Sequence, residues 1–137
     1  PSVGRLNLFF YDPKFKETLP YYDRFPLVLP LEPIKGGFMG LNFHYLPPVL
    51  RLKLLEEMSA WAVRQDLSKS NRFDVSYDRV SSIPLIKPTI KKYLWGHVRS
   101  SFLRIDTSEA AIACYLPVQQ FKKRSAAYVY GQSRGMI

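Results

Sequence analysis

The sequence has little of the chemistry on which small metalloproteins and disulfide-bonded proteins depend. It contains one cysteine and two histidines among 137 residues. A lone cysteine excludes an intramolecular disulfide and favours a reducing compartment. His44, His97 and Cys114 show no ligand spacing such as Cys-x-x-Cys, and a structural zinc site needs four ligands. We therefore expect no metal site and no cofactor.

Catalytic patterns are also absent. Cys114 lies in the apolar stretch "AIACYLP", which predicts a buried, inert thiol. Glu56 and Glu57 are neighbours on a predicted helix, so their carboxylates point in different directions. The glycines of "GGFMG" (36–40) lack the Lys and Ser/Thr of a phosphate-binding loop. We expect a non-enzymatic protein with no catalytic residue and no small-molecule substrate.

Long apolar runs are missing as well. No stretch approaches the 18 apolar residues that indicate a transmembrane helix, so no membrane partner is expected. The first residues, "PSVGRLNLFFYDPKFKE", lack the apolar core and the cleavage site of a signal peptide. These absences predict a soluble protein made in the cytoplasm.

What the sequence does contain indicates an α+β fold in one domain, 1–137. Eleven prolines divide the chain into short elements. "RFPLVLPLEPI" and "FMGLNFHYL" flank a Lys-Gly-Gly turn and predict a hairpin, with prolines that suit an edge or bulged strand. We predict a small antiparallel sheet, with a half-open SH3-like barrel as one alternative, two main amphipathic helices and a short C-terminal helix. The predicted strands are 4–12, 24–34, 38–46 and 108–116, and the predicted helices are 48–67, 88–105 and 118–130.

Positive charge is concentrated in the second half. Residues 1–68 carry a net charge of +1 and residues 69–137 carry +8. Within 88–105, Ile90, Leu94, Val98 and Phe102 recur at helical spacing and predict a core-facing stripe, on which His97 is a core histidine. Gly96 interrupts this helix and predicts the close approach of another backbone.

Two surfaces are the candidate partner sites. The cationic side chains off the stripe, with an exposed tryptophan, predict binding to an acidic protein surface or to nucleic acid. This partner-binding set is Lys87, Lys91, Lys92, Trp95, Arg99, Arg104, Lys122, Lys123 and Arg124. The proline-cut segment 1–23 is predicted to be an extended interaction arm, for which Tyr21, Tyr22 and Phe25 are aromatic anchors.

Four phrases of the chain carry a resemblance to a known group of proteins. They are "FFYDPKFKETLPYYDRFPLVLPLE", "GGFMGLNFHYLPP", "KPTIKKYLWGHVRSSFLRI" and "YLPVQQF", which together span most of the sequence. The pattern resembles small virion-associated proteins of contractile-tailed, T4-like bacteriophages of marine and cyanobacterial type. The resemblance implies a protein made in the host cytoplasm and located in the virion, and it brings no catalytic residues.

Two functions are consistent with these observations. The first is a non-enzymatic structural component of the phage tail, baseplate or head–tail connector, in a multi-copy assembly with other phage structural proteins. The excess of aromatic side chains, at 15% of residues, favours such assembly. The alternative is a DNA-binding protein without sequence specificity that acts on packaged or terminal phage DNA. Basic residues interleaved with aromatics favour it, although no DNA-reading motif is present.

Overall fold

The structure, a computed structural model, describes residues 4–64, 86 and 89–136. Seven strands and three α-helices lie within these residues, which confirms the α+β class. The SH3-like barrel stays a prediction. The strands are β1 (Leu6–Leu8), β2 (Tyr22–Asp23), β3 (Leu27–Ile34), β4 (Gly37–Asn42), β5 (Ile90–Leu94), β6 (Leu103–Ile105) and β7 (Phe121–Lys122). The helices are α1 (Pro48–Arg64), α2 (Ala110–Tyr115) and α3 (Ala126–Met136).

Five strands form one antiparallel sheet in the order β5-β4-β3-β1-β6, and β2 and β7 form a separate pair. The predicted hairpin is confirmed as β3–β4, whose turn contains Gly36 with a φ of 78°. The expected edge position of β3 is wrong, because β3 lies between β4 and β1. Its expected bulge is confirmed by a register shift between Pro30 and Glu32. The bulge lets a proline-rich strand occupy the interior of a sheet.

One face of the sheet is rich in leucine and covered by helices. Leu27, Leu29 and Leu31 alternate along β3 and belong to the same buried cluster. Leu54 and Met58 of α1 pack into this cluster, together with Ala113 and Cys114 of α2. We call it the leucine face. Burying one such side chain contributes about 1.5–3 kcal/mol, so this face supplies much of the stability.

The second buried cluster, which we call the aromatic face, packs its rings at the edge of the same sheet. Its members are Phe9, Tyr11, Val28, Phe38 and Tyr93, flanked by Val98 and Phe102. Phe38 and Tyr93 are register partners on β4 and β5, and their ring centroids lie 5.4 Å apart. Phe9 lies 4.7 Å from Phe102 by ring centroid. Aromatic pairs at these separations add to the stability gained from burial alone.

The predicted helix 88–105 is wrong. Residues 90–94 form edge strand β5, Trp95–His97 form a 3-10 turn, and Leu103–Ile105 form edge strand β6. The apolar spacing suited a helix, but pairing of β5 with β4 overrides this local pattern. Gly96 lies in the turn, where an added Cβ would meet nothing within 4 Å, so the expected close approach is also wrong.

The predicted strand 108–116 is also wrong. Thr107–Glu109 form a 3-10 turn and Ala110–Tyr115 form α2. Ala110, Ala113 and Cys114 are buried at helical spacing, and alanine has the highest helix propensity. A short apolar run does not by itself distinguish a buried strand from a buried helix.

The predicted C-terminal helix 118–130 is displaced along the chain. Phe121–Lys122 form β7, and α3 extends over Ala126–Met136. Gly131 lies inside this helix. Because the backbone of β7 is hydrogen-bonded to β2, the helix begins only after β7.

The predicted helix 48–67 is confirmed as α1 over Pro48–Arg64, and its last three residues lie outside the described part of the chain. Arginine is rarely buried, yet Arg51 of α1 is 1% exposed. Its guanidinium donates to the carbonyl oxygens of Leu46, His44 and Cys114 and to the Tyr130 hydroxyl. Arg51 therefore links α1 to α2 and α3. Among the described helices, none is both long and apolar enough to cross a membrane.

Candidate nucleic-acid interface

A polar cleft opens beside the aromatic face, with a volume of about 390 Å³. Four cationic side chains line it, namely Lys16, Arg24, Arg99 and Lys122, together with the carboxylate of Asp12. The lining therefore carries three net positive charges. Phe10, Tyr11 and Tyr22 complete the lining. We call this site the basic cleft. Its volume falls within the range of about 300–1,000 Å³ that is typical of ligand pockets.

Main-chain hydrogen bonds bring three of the four cations, Arg24, Arg99 and Lys122, together from separate parts of the chain. The backbone N–H of Arg99 donates to the Phe10 carbonyl at 2.8 Å. The Arg24 N–H donates to the Gln120 carbonyl at 2.9 Å, and the Arg24 carbonyl accepts from the Tyr11 N–H at 2.9 Å. Pairing of Tyr22 with Lys122 in the β2–β7 pair completes the arrangement. Backbone contacts thus position three of the four cleft cations.

Asp12 orients two of these cations. Lys16 Nζ lies 3.1 Å from Asp12 Oδ1, and Arg99 Nη2 lies 3.8 Å from Asp12 Oδ2. The hydrogen bond from Lys16 holds the pKa of Asp12 below its usual value, so this carboxylate is ionised at neutral pH. One carboxylate cannot neutralise four cations, and the cleft therefore attracts anions.

Lys123 has a structural role. Its ammonium donates to the carbonyl oxygens of Lys16, Glu17 and Leu19 at 2.5, 3.3 and 2.7 Å. Its backbone has a φ of 75°, in the left-handed region that non-glycine residues seldom adopt. Lys123 therefore fixes the turn that carries Lys16, and its ammonium is engaged by main-chain carbonyls at the surface.

A second cavity, of about 250 Å³, adjoins the basic cleft and shares Tyr11 and Tyr22 with it. We call it the tyrosine pocket. Five tyrosines line it: Tyr11, Tyr21, Tyr22, Tyr45 and Tyr93. Burial raises the pKa of Tyr45 and Tyr93, so both phenols stay neutral. Lys91 also lines the pocket, with Nζ 4.2 Å from the Tyr45 ring centroid, and burial lowers the pKa of this lysine.

Asp23 lines the tyrosine pocket and follows Tyr22, which lines both cavities. Its Oδ1 accepts from the backbone N–H groups of Phe25 and Gln120, each at 3.0 Å. Its Oδ2 accepts from Asn42 Nδ2 at 3.1 Å and lies 2.8 Å from His44 Nδ1. Burial alone would raise the pKa of Asp23, but the hydrogen bonds from His44, Asn42 and Phe25 outweigh burial and lower it. This carboxylate joins β2, the end of β4 and the segment before β7.

The predicted partner-binding residues do not share one face. Arg99 and Lys122 meet in the basic cleft, whereas Lys91 and Lys92 line the tyrosine pocket. Arg104 lies on β6, at the opposite edge of the sheet from β5, four strand spacings or about 19 Å away.

The other members of that set have local roles. Trp95 is 46% exposed and its ring contacts Phe38, with centroids 5.0 Å apart. Arg124 lies over the Tyr128 ring at 4.8 Å. His97, expected in the core, is half-buried, and its Nδ1 lies 2.9 Å from the Asp12 carbonyl oxygen. Lys87 falls outside the described residues.

Part of the predicted interaction arm belongs to the fold. Leu6 and Leu8 of β1 are buried between β3 and β6. Phe25 stacks on Phe10 at 4.5 Å, and Tyr21 lies 6.0 Å from Tyr45 by ring centroid. A role of Tyr21, Tyr22 and Phe25 in contacting a partner stays a prediction.

Sequence reasoning missed half of the basic cleft. Lys16 and Arg24 come from the half of the chain with a net charge of +1, and a net charge this small does not indicate a basic site. The segment that carries them, "KFKETLPYYDR", shows basic and aromatic residues in alternation, and this was the one available signal. Charge asymmetry along a chain does not report charge clustering in space.

The side chains that line the two cavities are of the types that contact nucleic acids in other proteins. Convergent lysines and arginines bind phosphate oxygens, and tyrosine rings stack on nucleobases. Among the described residues, no group of three or more histidines, cysteines or carboxylates is placed to hold a metal ion. The arrangement is therefore suited to holding a phosphate backbone.

Comparison with known proteins agrees with this geometry. No curated protein and no solved structure matches the chain. A family model described as "Phage T4 terminal DNA protecting protein" matches residues 1–133. The match confirms the resemblance to proteins of T4-like bacteriophages. The chain belongs to the family of phage T4 terminal DNA protecting proteins.

Proposed function

We propose that this protein binds the ends of double-stranded phage DNA and holds the terminal phosphates in the basic cleft. The observation that carries the proposal is the convergence of Lys16, Arg24, Arg99 and Lys122 on one cleft with a single carboxylate. The family description, which names terminal DNA, supports the same reading. Phosphate contacts carry no sequence information, so binding is independent of the terminal sequence.

Protection works by occupancy rather than by catalysis. A metal-dependent nuclease needs clustered carboxylates, whereas the cleft holds Asp12 alone, and Lys16 already engages it. A protein seated on a DNA end excludes exonucleases from that end. The DNA itself should stay intact when it is incubated with the protein and Mg²⁺.

The family description favours the DNA-binding alternative over the expected role in the tail, baseplate or connector. We place the protein in the virion with the DNA ends, after its synthesis in the infected host. DNA is its proposed primary partner, and other phage proteins are secondary.

A salt titration tests the proposal. Binding of the protein to a blunt duplex of about 20 base pairs is measured by fluorescence anisotropy at several salt concentrations. Three or four phosphate contacts predict a slope of log K against log salt of roughly −3. Exonuclease digestion of the same duplex, end-labelled, then shows whether the bound end is shielded.

Matched variants assign the binding to the cleft. Arg24 and Lys122 are exposed cleft residues, whereas Arg104 is an exposed arginine on β6 that does not line the cleft. The double variant R24Q/K122Q should flatten the salt slope by about two and lose exonuclease shielding. Arg104→Gln is the control and should behave as wild type. Equal slopes for the double variant and wild type would refute the role of the cleft.

A protein contact is the second candidate function. Ile112, Tyr115 and Leu116 are exposed by 62%, 58% and 44%, and their spacing puts them on one side of α2 and its C-terminal end. An exposed apolar group of this kind favours a contact with another protein of the particle. The variant I112D/Y115S should keep its affinity for DNA but appear at reduced copy number in purified particles. Normal incorporation of this variant would remove this candidate.

A further inference from the structure

We infer that the tyrosine pocket takes an unpaired terminal nucleobase while the basic cleft holds the adjoining phosphates. This inference rests on the proposed DNA-end binding and specifies which form of DNA end the protein prefers. The two cavities share Tyr11 and Tyr22, so a strand whose phosphates lie in the cleft has its next base at the entrance of the pocket.

The size and lining of the pocket fit a base. Its volume of about 250 Å³ exceeds the roughly 150 Å³ cavity that is known to accept benzene in a protein interior. Five tyrosine rings line it, and stacking on such rings is tolerant of base identity. The Tyr21 and Tyr45 rings are tilted by 38° with centroids 6.0 Å apart. The lining can therefore hold any of the four bases without reading their sequence.

Lys91 supplies an unused hydrogen-bond donor. Its ammonium lies over the Tyr45 ring, and among the described residues it finds no carboxylate or carbonyl acceptor. Lys91 is half-buried, so its ammonium can still donate to a molecule that enters the pocket. Ring nitrogens and carbonyl oxygens of nucleobases are acceptors of the kind this donor lacks.

The surroundings favour a base over a second phosphate. Lys91 and Lys92 are the cations of the pocket, and most of the remaining lining is aromatic or apolar. A phosphate would have to leave water for tyrosine rings, whereas a flat ring gains stacking there. The basic cleft next to it, with four cations, is the better phosphate site.

The probes are three duplexes of equal length. One is blunt, one carries a single unpaired 2-aminopurine nucleotide at one end, and one carries an abasic nucleotide at that position. Wild type should bind the 2-aminopurine duplex about tenfold more tightly than the other two. Its 2-aminopurine fluorescence should be quenched on binding, because the base stacks on tyrosine.

Two variants address the pocket. Tyr21→Leu removes a stacking ring that lines the pocket but not the basic cleft, and Lys91→Met removes the donor while keeping an apolar chain of similar length. Both should lose the preference and the quenching, and Tyr21→Leu should keep the salt slope of the blunt duplex. Near-ultraviolet circular dichroism checks that each variant is folded.

The outcomes separate this inference from the proposed function. Salt-dependent binding of the blunt duplex with no preference for the 2-aminopurine end would overturn the inference and leave the proposed function intact. If the abasic and 2-aminopurine duplexes both bind more tightly than the blunt duplex, and by the same factor, the pocket takes phosphate or sugar. That result would also overturn the inference. Failure of all three duplexes to bind would overturn the proposed function itself.

Discussion

The leucine face and the aromatic face of the sheet are built from the same strands but closed in different ways. On the leucine face, α1 and α2 lie over the strands and seal the cluster. On the aromatic face, rings from Phe9 and Tyr11 are covered by irregular segments that carry Lys16, Arg24 and Arg99. One face is closed and apolar, and the other leaves two cavities open. The helices thus seal the closed face, whereas loops form the cavities that we propose as the binding site.

Arg51 and Asp23, two of the buried polar residues, join separate elements of the fold. Arg51 donates to three main-chain carbonyls and one hydroxyl, and thereby ties α1 to the other two helices. Asp23 accepts from two backbone N–H groups and two side chains at the tyrosine pocket. Loss of Arg51 should therefore damage the whole fold, whereas loss of Asp23 should damage the cavities more than the helices.

The largest effect is expected from Arg51→Met. The substitution leaves the carbonyl oxygens of Leu46, His44 and Cys114 without their donor, and each orphaned buried acceptor costs about 1–3 kcal/mol. The free energy of unfolding in urea should fall by about 3–5 kcal/mol. The exposed Lys53 of the same helix is the control, and Lys53→Met should stay within about 0.5 kcal/mol. Similar midpoints for the two variants would contradict the role of Arg51.

A matched pair of truncations compares the two faces directly. Leu54 is fully buried on the leucine face, and Leu54→Ala should cost about 3–4 kcal/mol of unfolding free energy. Phe102 is half-buried on the aromatic face, and Phe102→Ala should cost about 2 kcal/mol, below the usual range for a core phenylalanine. The folded Leu54 variant should keep its affinity for duplex DNA. A larger loss of stability for Phe102 would reverse the assignment of the faces.

Asp23→Asn should have a smaller effect that depends on pH. The folded pKa of Asp23 lies below the unfolded value of about 3.9, so its contribution is present above that pH and is lost as pH falls through the folded pKa. At neutral pH the variant should lose about 1–3 kcal/mol, because an amide presents donors where Asn42 already donates. In thermal melts from pH 7 to pH 2, the melting temperature of the variant should fall less steeply with decreasing pH than that of wild type. An equally steep fall for the variant and wild type would show that Asp23 does not cause the loss of stability at low pH.

The smallest effect on stability belongs to the cleft variant R24Q/K122Q. Both side chains are exposed, and exposed charges contribute little to folding. Its free energy of unfolding should lie within about 0.5 kcal/mol of wild type, although its binding of DNA is impaired. A destabilisation near that of Phe102→Ala would mean that the cleft cations hold the fold together.

Local signals explain what could be predicted from the sequence. Lys35-Gly36-Gly37 between two apolar runs predicted the β3–β4 hairpin, and Pro48 ahead of a helical stripe predicted α1. Both elements depend on residues close in sequence. The strand β5 was mistaken for a helix because its partner β4 is distant in sequence, and no local pattern reports that pairing.

The binding site required the same distant information. Arg99 and Lys122 were identified by their charge. Arg24 became part of the site through its backbone bonds to Tyr11 and Gln120, and Lys16 through its ion pair with Asp12. Lys123 looked like its neighbour Lys122, yet its ammonium is engaged by three carbonyls. Composition predicted a basic, aromatic surface, and folding decided which of its residues face a ligand.

The most direct test of the central claim compares DNA with ends to DNA without them. A labelled linear duplex is bound to the protein and displaced by either the linear duplex or a relaxed closed circle of the same sequence, at equal base-pair concentration. If the basic cleft and the tyrosine pocket receive a DNA terminus, the linear competitor should displace the label at a concentration at least tenfold lower than the circle. Equal displacement by the circle would show that the protein binds along the duplex and would contradict end recognition.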